Sequence, residues 1–350
     1  MMQQIHVGLI GYGLSGSVFH APLIHSMNEF FIRTVVSSSP DKVYDDYSYV
    51  SVVPSIEELL AEPDIQLVVI TSPNSTHYSY AKQALLAGKH VVVEKPFVNS
   101  VQEADELIAL AAERNLILSV FQNRRWDNDF LTVKKCIQEG VLGDIYLYEA
   151  HYDFFRPQVG PKWKEHAGEG TGALYDLGPH LIDQALQLFG MPEAVSAELV
   201  KQRPGAEVDD FFHLVMHYGS LRVVLQASNI IKQAGPHFQV HGNQGSLIKY
   251  GMDPQQSDLQ RGLRPGNPTW GKDKEELYAE VTLGRNLTLS SRLETIPGCY
   301  EAYYQGILNS IVNGAPPPVS AIEARNVMLV IETAMQSHKQ QRVVALPKNV

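Results

Sequence analysis

Three short groups of residues in this 350-residue chain have types and spacings that could do chemistry. Gly11-Tyr12-Gly13-Leu14-Ser15-Gly16 sets three glycines where a backbone must turn tightly, approach a pyrophosphate and pack a helix against a strand. Glu94-Lys95-Pro96 puts a single lysine at the end of an apolar run, a place where a reacting group can be held. Gly170 to Asp183 carries Asp176, His180 and Asp183, spaced four and three apart, which on a helix would share one face. A carboxylate beside an imidazole fixes its tautomer and keeps it able to move a proton near neutral pH. Gly178-Pro179 makes Pro179 a first-turn residue and leaves Asp176 in the approach to that helix. The plainer alternative for this third group is a hydrogen-bonded packing histidine and a helix-capping aspartate.

Positioning these groups calls for alternating strands and helices over the first 120 or so residues, the pattern of a doubly wound sheet. Ile5 to Ile10 reads as a buried strand running into Gly11, and Val18 to Met27 as the helix after it. Phe31 to Val36 is the second strand, Ser55 to Ala61 a short helix, and Ile65 to Ile70 the next strand. A helix from His77 to Ala87 stops at Gly88, and His90 to Val93 is a strand. Ser100-Val101-Gln102-Glu103 is a capping box for a helix reaching Arg114, and Leu116 to Phe121 closes the sheet. Ligand groups belong on the loops at the carboxyl ends of such strands: Gly11 to Gly16, Ser37 to Lys42, Thr71 to His77, Glu94 to Phe97 and Gln122 to Trp126. Cofactor contacts are therefore expected from Gly11, Gly13, Leu14, Ser15, Gly16, Thr71, Pro73, Asn74, His77, Glu94, Lys95 and Asn123.

The second strand's loop bears on which dinucleotide. An acidic side chain there would bind the 2′-hydroxyl of NAD, but the position falls in Ser37-Ser38-Ser39. Serines hydrogen-bond a 2′-phosphate without repelling it, which favours NADP, with Ser38 the central contact and Arg33 or Lys42 as cations. Asp41, three residues on, keeps NAD as the alternative.

From about Ile145 the pattern changes to longer β-like runs: Ile145 to Phe155, Ala194 to Lys201, Phe211 to Tyr218, Leu221 to Ile230, Phe238 to His241 and Leu247 to Tyr250. Tyr218-Gly219-Ser220 and Gly242-Asn243-Gln244-Gly245 are the turns, so the sheet should be mostly antiparallel. Met252 to Lys274 reads as an irregular excursion, and Tyr300 to Val312 and Ala321 to Lys339 as closing helices. The chain divides into a dinucleotide-binding Rossmann domain, 1–122, and an α+β substrate and oligomerisation domain, 123–350. A sheet with one face covered leaves the other for a second copy, so a homodimer or homotetramer is expected.

Composition sets limits on partners. The net charge is −10 with no basic cluster, which argues against nucleic acid. Cys136 and Cys299 lack the number and spacing of a disulfide framework or zinc site, so no metal is expected. No apolar stretch approaches the roughly twenty residues of a membrane span, and the first strand begins too early for a secretory signal. The expectation is a cytoplasmic protein without a membrane partner.

Taken together, the three motifs resemble the Gfo/Idh/MocA family of oxidoreductases over nearly the whole chain. The family's Glu-Lys-Pro motif falls on Glu94, Lys95 and Pro96, implying that Lys95 is its active-site lysine. Its Asp-x-Gly-x-x motif ending in histidine falls on Asp176, Gly178 and His180, implying that His180 transfers a proton with Asp176 beside it. Asn74-Ser75-Thr76-His77 is similar to the segment beside the nicotinamide ribose. Phe121 to Trp126 and Phe155-Arg156-Pro157 resemble the branch containing NADP-dependent scyllo-inositol dehydrogenases.

The resemblance implies hydride transfer between nicotinamide and a secondary hydroxyl or ketone of a cyclic polyol or sugar. Lys95 would stabilise charge on the oxygen, and His180 would move the proton. Asn123, Asp153, Arg156 and Asp183 are the side chains suited to a polyol rim, and Arg124 would suit an anionic group. An aldose or sugar-acid dehydrogenase, or a non-catalytic dinucleotide-binding regulator of the same fold, is the alternative.

Overall fold

The computed structural model describes residues 4–284 and 288–347. Two compact units emerge: Met1–Asn123 with Pro254–Trp270 and Cys299–Arg325, and Arg124–Asp253 with Gly271–Gly298 and Asn326–Val350. The first crossing falls after Asn123, one residue beyond the 122/123 cut of the sequence reading, and the chain afterwards returns twice to the first unit.

The first unit is built on a parallel sheet of six strands: β1 (Ile5–Ile10), β2 (Phe30–Val36), β3 (Ser51–Val53), β4 (Leu67–Ile70), β5 (His90–Glu94) and β6 (Leu118–Phe121). Their order is β3-β2-β1-β4-β5-β6, so direction of winding reverses between β1 and β4. Ligands of open α/β sheets bind outside the carboxyl ends of strands at such a reversal. All four residues of β4 and of β6 are buried, as expected where both sheet faces are covered. The capping box forms, with Ser100 Oγ accepting from the Glu103 N–H at 3.2 Å. Ser119 Oγ donates to the Val319 carbonyl at 2.7 Å, and Phe121 meets the Tyr303 ring edge-on at 4.8 Å. Through these contacts the late segment 299–325 becomes part of the first unit's core.

Several boundaries differ from the sequence reading. Helical structure begins at Ser15, with a π turn over Ser15–His20 running into an α-helix over Ala21–His25, rather than at Val18. Strands β4 and β6 start two residues later than expected. The serine loop is cut short by a helix over Pro40–Asp46, because Pro40 suits a first turn.

The second unit is a nine-stranded sheet of order β14-β13-β12-β11-β7-β10-β9-β8-β15. Its strands are β7 (Ile145–Asp153), β8 (Ala194–Val200), β9 (Phe211–Tyr218), β10 (Leu221–Ser228), β11 (Phe238–Gly242), β12 (Gly245–Lys249), β13 (Ala279–Leu283), β14 (Leu289–Leu293) and β15 (Val344–Ala345). The pairing is antiparallel except for β7 with β10. β7 ends at Asp153 and β10 at Ser228, with Phe155 and Ile230 joined beyond them by an isolated bridge. Along β7, Tyr148, Ala150 and Tyr152 are buried, and the Tyr148 ring meets Phe189 of the helix Gly178–Phe189 at 5.4 Å. That helix therefore covers the face to which the even-numbered residues point. Missing from the sequence reading were the helix Asn128–Gln138, the strands β13 and β14, and the helix Gln255–Gln260 inside the expected excursion. Every residue of β14 is exposed, so it carries no apolar alternation to signal it.

Candidate active site

At the carboxyl end of β1 the three glycines have different surroundings. Gly11 has φ +95°, a conformation that side chains rarely tolerate. A Cβ on Gly13 would meet nothing within 4 Å, leaving its backbone open to a ligand. A Cβ on Gly16 would lie 2.4 Å from the Gly11 carbonyl oxygen, so only glycine lets the helical run fold back onto the turn. Thr71 Oγ1 donates to that same carbonyl at 2.8 Å and to the Ile10 carbonyl at 3.0 Å. This open, braced loop fits the pyrophosphate of a dinucleotide. Gly16→Ala should destabilise the unit by about 1–3 kcal/mol through overpacking; thermal unfolding checks this, and NADPH fluorescence titration should show weakened binding.

Ser37, Ser38 and Ser39 follow β2, with Ser38 and Ser39 exposed and Ser37 Oγ accepting from the Ser39 N–H at 3.1 Å. Lys42 and Asp41 are exposed on the helix Pro40–Asp46. Arg33 differs from expectation: its guanidinium is shared between Glu62 at 2.9 Å and Asp64 at 3.3 Å. Tyr12 donates its buried hydroxyl to Asp46 at 2.8 Å, tying the fingerprint to that helix.

β5 ends on Glu94, so Lys95 and Pro96 leave its carboxyl end, and their shared peptide bond is cis. The Glu94 carboxylate is a junction. Oε1 accepts from Ser15 Oγ and lies 3.0 Å from His20 Nε2, while Oε2 accepts the Lys95 N–H at 2.8 Å. Burial alone would raise the Glu94 pKa, but the His20 hydrogen bond and charge, the Lys95 charge and the Ser15 hydroxyl hold it below the ordinary carboxylate value. His20 is fully buried and its Nδ1 lies 2.5 Å from the Tyr304 hydroxyl. His20 and Tyr304 went unrecognised in the sequence, because a helical histidine reads as packing and its tyrosine partner lies 284 residues away.

In the β4 loop, Asn74 is buried and begins a short 3₁₀ turn over Asn74–Thr76 after Pro73. His77 has its Nδ1 2.8 Å from the Pro96 carbonyl and its Nε2 3.0 Å from the Ser72 carbonyl. Burial pushes its pKa down, against the pull of those carbonyls. Its ring thus braces two loops through their backbones. Asn123 is buried in the turn that follows β6.

In the second unit the segment carrying Asp176 and His180 spans two helices, Ala173–Asp176 and Gly178–Phe189, with Pro179 in the first turn of the latter as the sequence predicts. Gly172, at φ +97°, starts the first of them; a Cβ there would stand 2.2 Å from Asp209 Oδ1, whose partner oxygen accepts the Leu174 N–H at 2.8 Å. Asp176 pairs with Lys164 at 2.5 Å, and no local sequence signal points to that lysine. His180 and Asp183 are buried on the longer helix. Asp183 takes both prongs of the Arg125 guanidinium, each at 2.7 Å, and Gln184 Nε2 donates to the Arg124 carbonyl at 2.9 Å. The histidine's helix is therefore pinned to Arg124 and Arg125.

The rim residues are distributed unevenly. Asp153 follows Tyr152 on β7 and so points to the face opposite the helix Gly178–Phe189. Its Oδ2 accepts the Gly235 N–H at 3.0 Å, while Oδ1 is buried with no hydrogen-bond partner among the described residues. Tyr152 takes the helix-side position, and burial raises its phenol pKa, with the Arg124 charge opposing and the Asp127, Asp129 and Asp176 charges adding. Arg156 is exposed, with its guanidinium 4.2 Å over the Phe154 ring.

Family models match both parts of the chain. The Gfo/Idh/MocA family's NAD-binding Rossmann fold covers residues 5–122, and its C-terminal alpha/beta domain covers 134–346. The NADP-dependent scyllo-inositol 2-dehydrogenase IolW of Bacillus subtilis is 45% identical over 98% of this chain and 96% of its own. The uncharacterised Escherichia coli oxidoreductase YdgJ is 43% identical over 99% of this chain and all of its own. Among solved structures, the candidate oxidoreductase yvaA of Bacillus subtilis superposes with a TM-score of 0.97 at 44% identity, covering 99% of both chains. With both parts of the chain matched and full-length relatives at 45% and 43% identity, this chain belongs to the Gfo/Idh/MocA family of oxidoreductases.

Proposed function

We propose that this protein is an NADP(H)-dependent dehydrogenase acting on a secondary hydroxyl or ketone of a cyclic polyol, with a scyllo-inositol-like substrate favoured. One observation carries the reading: Glu94 joins the Lys95 backbone to Ser15 of the dinucleotide loop, so the lysine is anchored to the place where a nicotinamide cofactor would be held. The similarity to IolW supports the choice of cofactor and substrate.

Gly11, Gly13, Leu14, Ser15 and Gly16 would hold the pyrophosphate, with Thr71, Pro73, Asn74, Glu94 and Asn123 completing the cleft wall and His77 bracing it. Ser37, Ser38 and Ser39 would hold the 2′-phosphate. Once bound, the nicotinamide supplies the hydride acceptor or donor. Lys95 binds the reacting oxygen and offsets its negative charge, and His180 takes the hydroxyl proton. Asp176, with its charge shared by Lys164, orients the imidazole. Asn123 and Arg156 are the rim contacts and Asp183 acts through its grip on Arg125, whereas Asp153, on the sheet face opposite the helix of His180, is left out of the site. The working form would be a cytoplasmic homodimer or homotetramer.

Turnover followed by absorbance of the reduced nicotinamide, with NADP or NAD and a panel of inositols, aldoses and sugar acids, tests this reading. Oxidation of an inositol with NADP is the expected result. Activity confined to aldoses or sugar acids would replace the substrate, and NADP binding without turnover of any member would favour a regulator. Ser38→Asp should lower the preference for NADP over NAD by about ten- to hundredfold, since a carboxylate there repels the phosphate. Comparing the two Kd values in the variant checks this.

A further inference from the structure

We propose that His20 and Tyr304 are positioning residues for Lys95, holding Glu94 so that one carboxylate fixes both the dinucleotide loop and the lysine backbone. This rests on the reading of Lys95 as the residue that binds the reacting oxygen.

The chain of contacts is continuous. The Tyr304 hydroxyl meets His20 Nδ1 at 2.5 Å, His20 Nε2 meets Glu94 Oε1 at 3.0 Å, and Glu94 Oε2 accepts the Lys95 N–H at 2.8 Å. Both ring nitrogens of His20 are engaged, and its faces are packed: the Phe121 ring lies 4.1 Å from it and the Tyr304 ring meets it edge-on at 6.0 Å. His20 and Tyr304 are completely buried, whereas the Glu94 side chain retains 13% exposure. The contacts thus run from the fully buried His20 and Tyr304 to a partly exposed carboxylate.

Backbone geometry supplies an independent reason. Ser15 and His20 both reach Glu94 Oε1 although they lie five residues apart. On an α-helix, at 3.6 residues per turn, side chains five apart diverge by about 140°. The wider i→i+5 turn brings them onto one side, and the segment Ser15–His20 is a π turn. The departure from α-helical form converges two side chains on one carboxylate oxygen. A buried His–Glu pair serving only stability would not need the serine of the dinucleotide loop or the backbone of the lysine.

Two amides separate the contacts of the ring. Asparagine places its amide nitrogen where Nδ1 stood, and glutamine places it where Nε2 stood, so His20→Gln keeps the donor to Glu94 and His20→Asn loses it. The measurements are kcat, the NADPH Kd by fluorescence, and the rate at which an acetylating ester modifies Lys95 in cofactor-free protein, read by mass spectrometry. His20→Gln should keep kcat within about threefold of wild type, while His20→Asn should lower it about thirtyfold, within the roughly hundredfold that a misplacement of about 1 Å costs. NADPH Kd should stay within about fivefold in both. Lys95 acetylation should shift by more than about threefold in His20→Asn alone. Equal behaviour of the two variants, whether both active or both impaired, overturns the proposal. If His20→Asn does not fold, Tyr304→Phe removes only a hydroxyl and should still shift Lys95 acetylation by at least about twofold; an unchanged rate overturns it. Lys95→Met run alongside separates the two claims: a variant that keeps its rate removes the role of Lys95, and His20's with it, whereas an inactive Lys95→Met beside a fully active His20→Asn removes only that of His20.

Discussion

Lys95→Met should lower kcat by about a thousandfold while leaving the NADPH Kd within about threefold of wild type. Methionine keeps most of the apolar stem and leaves the backbone N–H that donates to Glu94 at 2.8 Å, so the loop is not disturbed. What is lost is a cation beside the oxygen on which charge develops. Removing one such stabilising group costs about 10²–10³ in rate, and a proton-handling side chain about 10²–10⁴. A thousandfold is about 4 kcal/mol of transition-state stabilisation. Arginine should not restore the rate, because its planar fork cannot occupy the place of a compact ammonium. Steady-state kinetics with a fluorescence titration of NADPH separates loss of chemistry from loss of cofactor.

Arg125→Ala should produce the largest loss of stability, about 3–5 kcal/mol by denaturant unfolding. Arg125 and Asp183 are both nearly inaccessible, with side-chain exposures of 7% and 3%, and their two hydrogen bonds are each 2.7 Å. Truncating the arginine leaves a buried carboxylate without its forked partner. Replacing both members by apolar residues of similar size should be far milder, since the desolvation of both charges then disappears with their attraction. Because Asp183 lies one helical turn after His180, the single variant should also impair turnover, whereas the paired replacement should separate fold from positioning.

The contrast between these residues explains what could be read from the chain before its structure. Gly11 and Gly16 were legible because each meets a backbone requirement that only glycine satisfies, a positive φ at the first and a close approach to the Gly11 carbonyl at the second. The place of Lys95 at the end of a strand was legible from the apolar run before it, and the start of the helix carrying His180 from Pro179. The π turn was not, since Ser15-Gly16-Ser17 are poor helix formers and their conformation is dictated by the close approach of Gly16 to Gly11. His20, Lys164 and Arg125 acquire their roles from partners 74, 12 and 58 positions away, separations that no local period encodes. Strand β14 escaped for a different reason: at the sheet edge and wholly exposed, it needs no alternating apolar pattern.

The most direct test of the central claim follows the hydrogen itself. Scyllo-inositol carrying deuterium on its ring carbons is incubated with the protein and NADP, and the reduced cofactor is analysed by mass spectrometry and NMR. Deuterium at carbon 4 of the nicotinamide, absent from the Lys95→Met reaction over the same period, is the predicted result. Reduced cofactor without deuterium, or no reduced cofactor with any polyol or sugar despite measured NADP binding, would contradict the account.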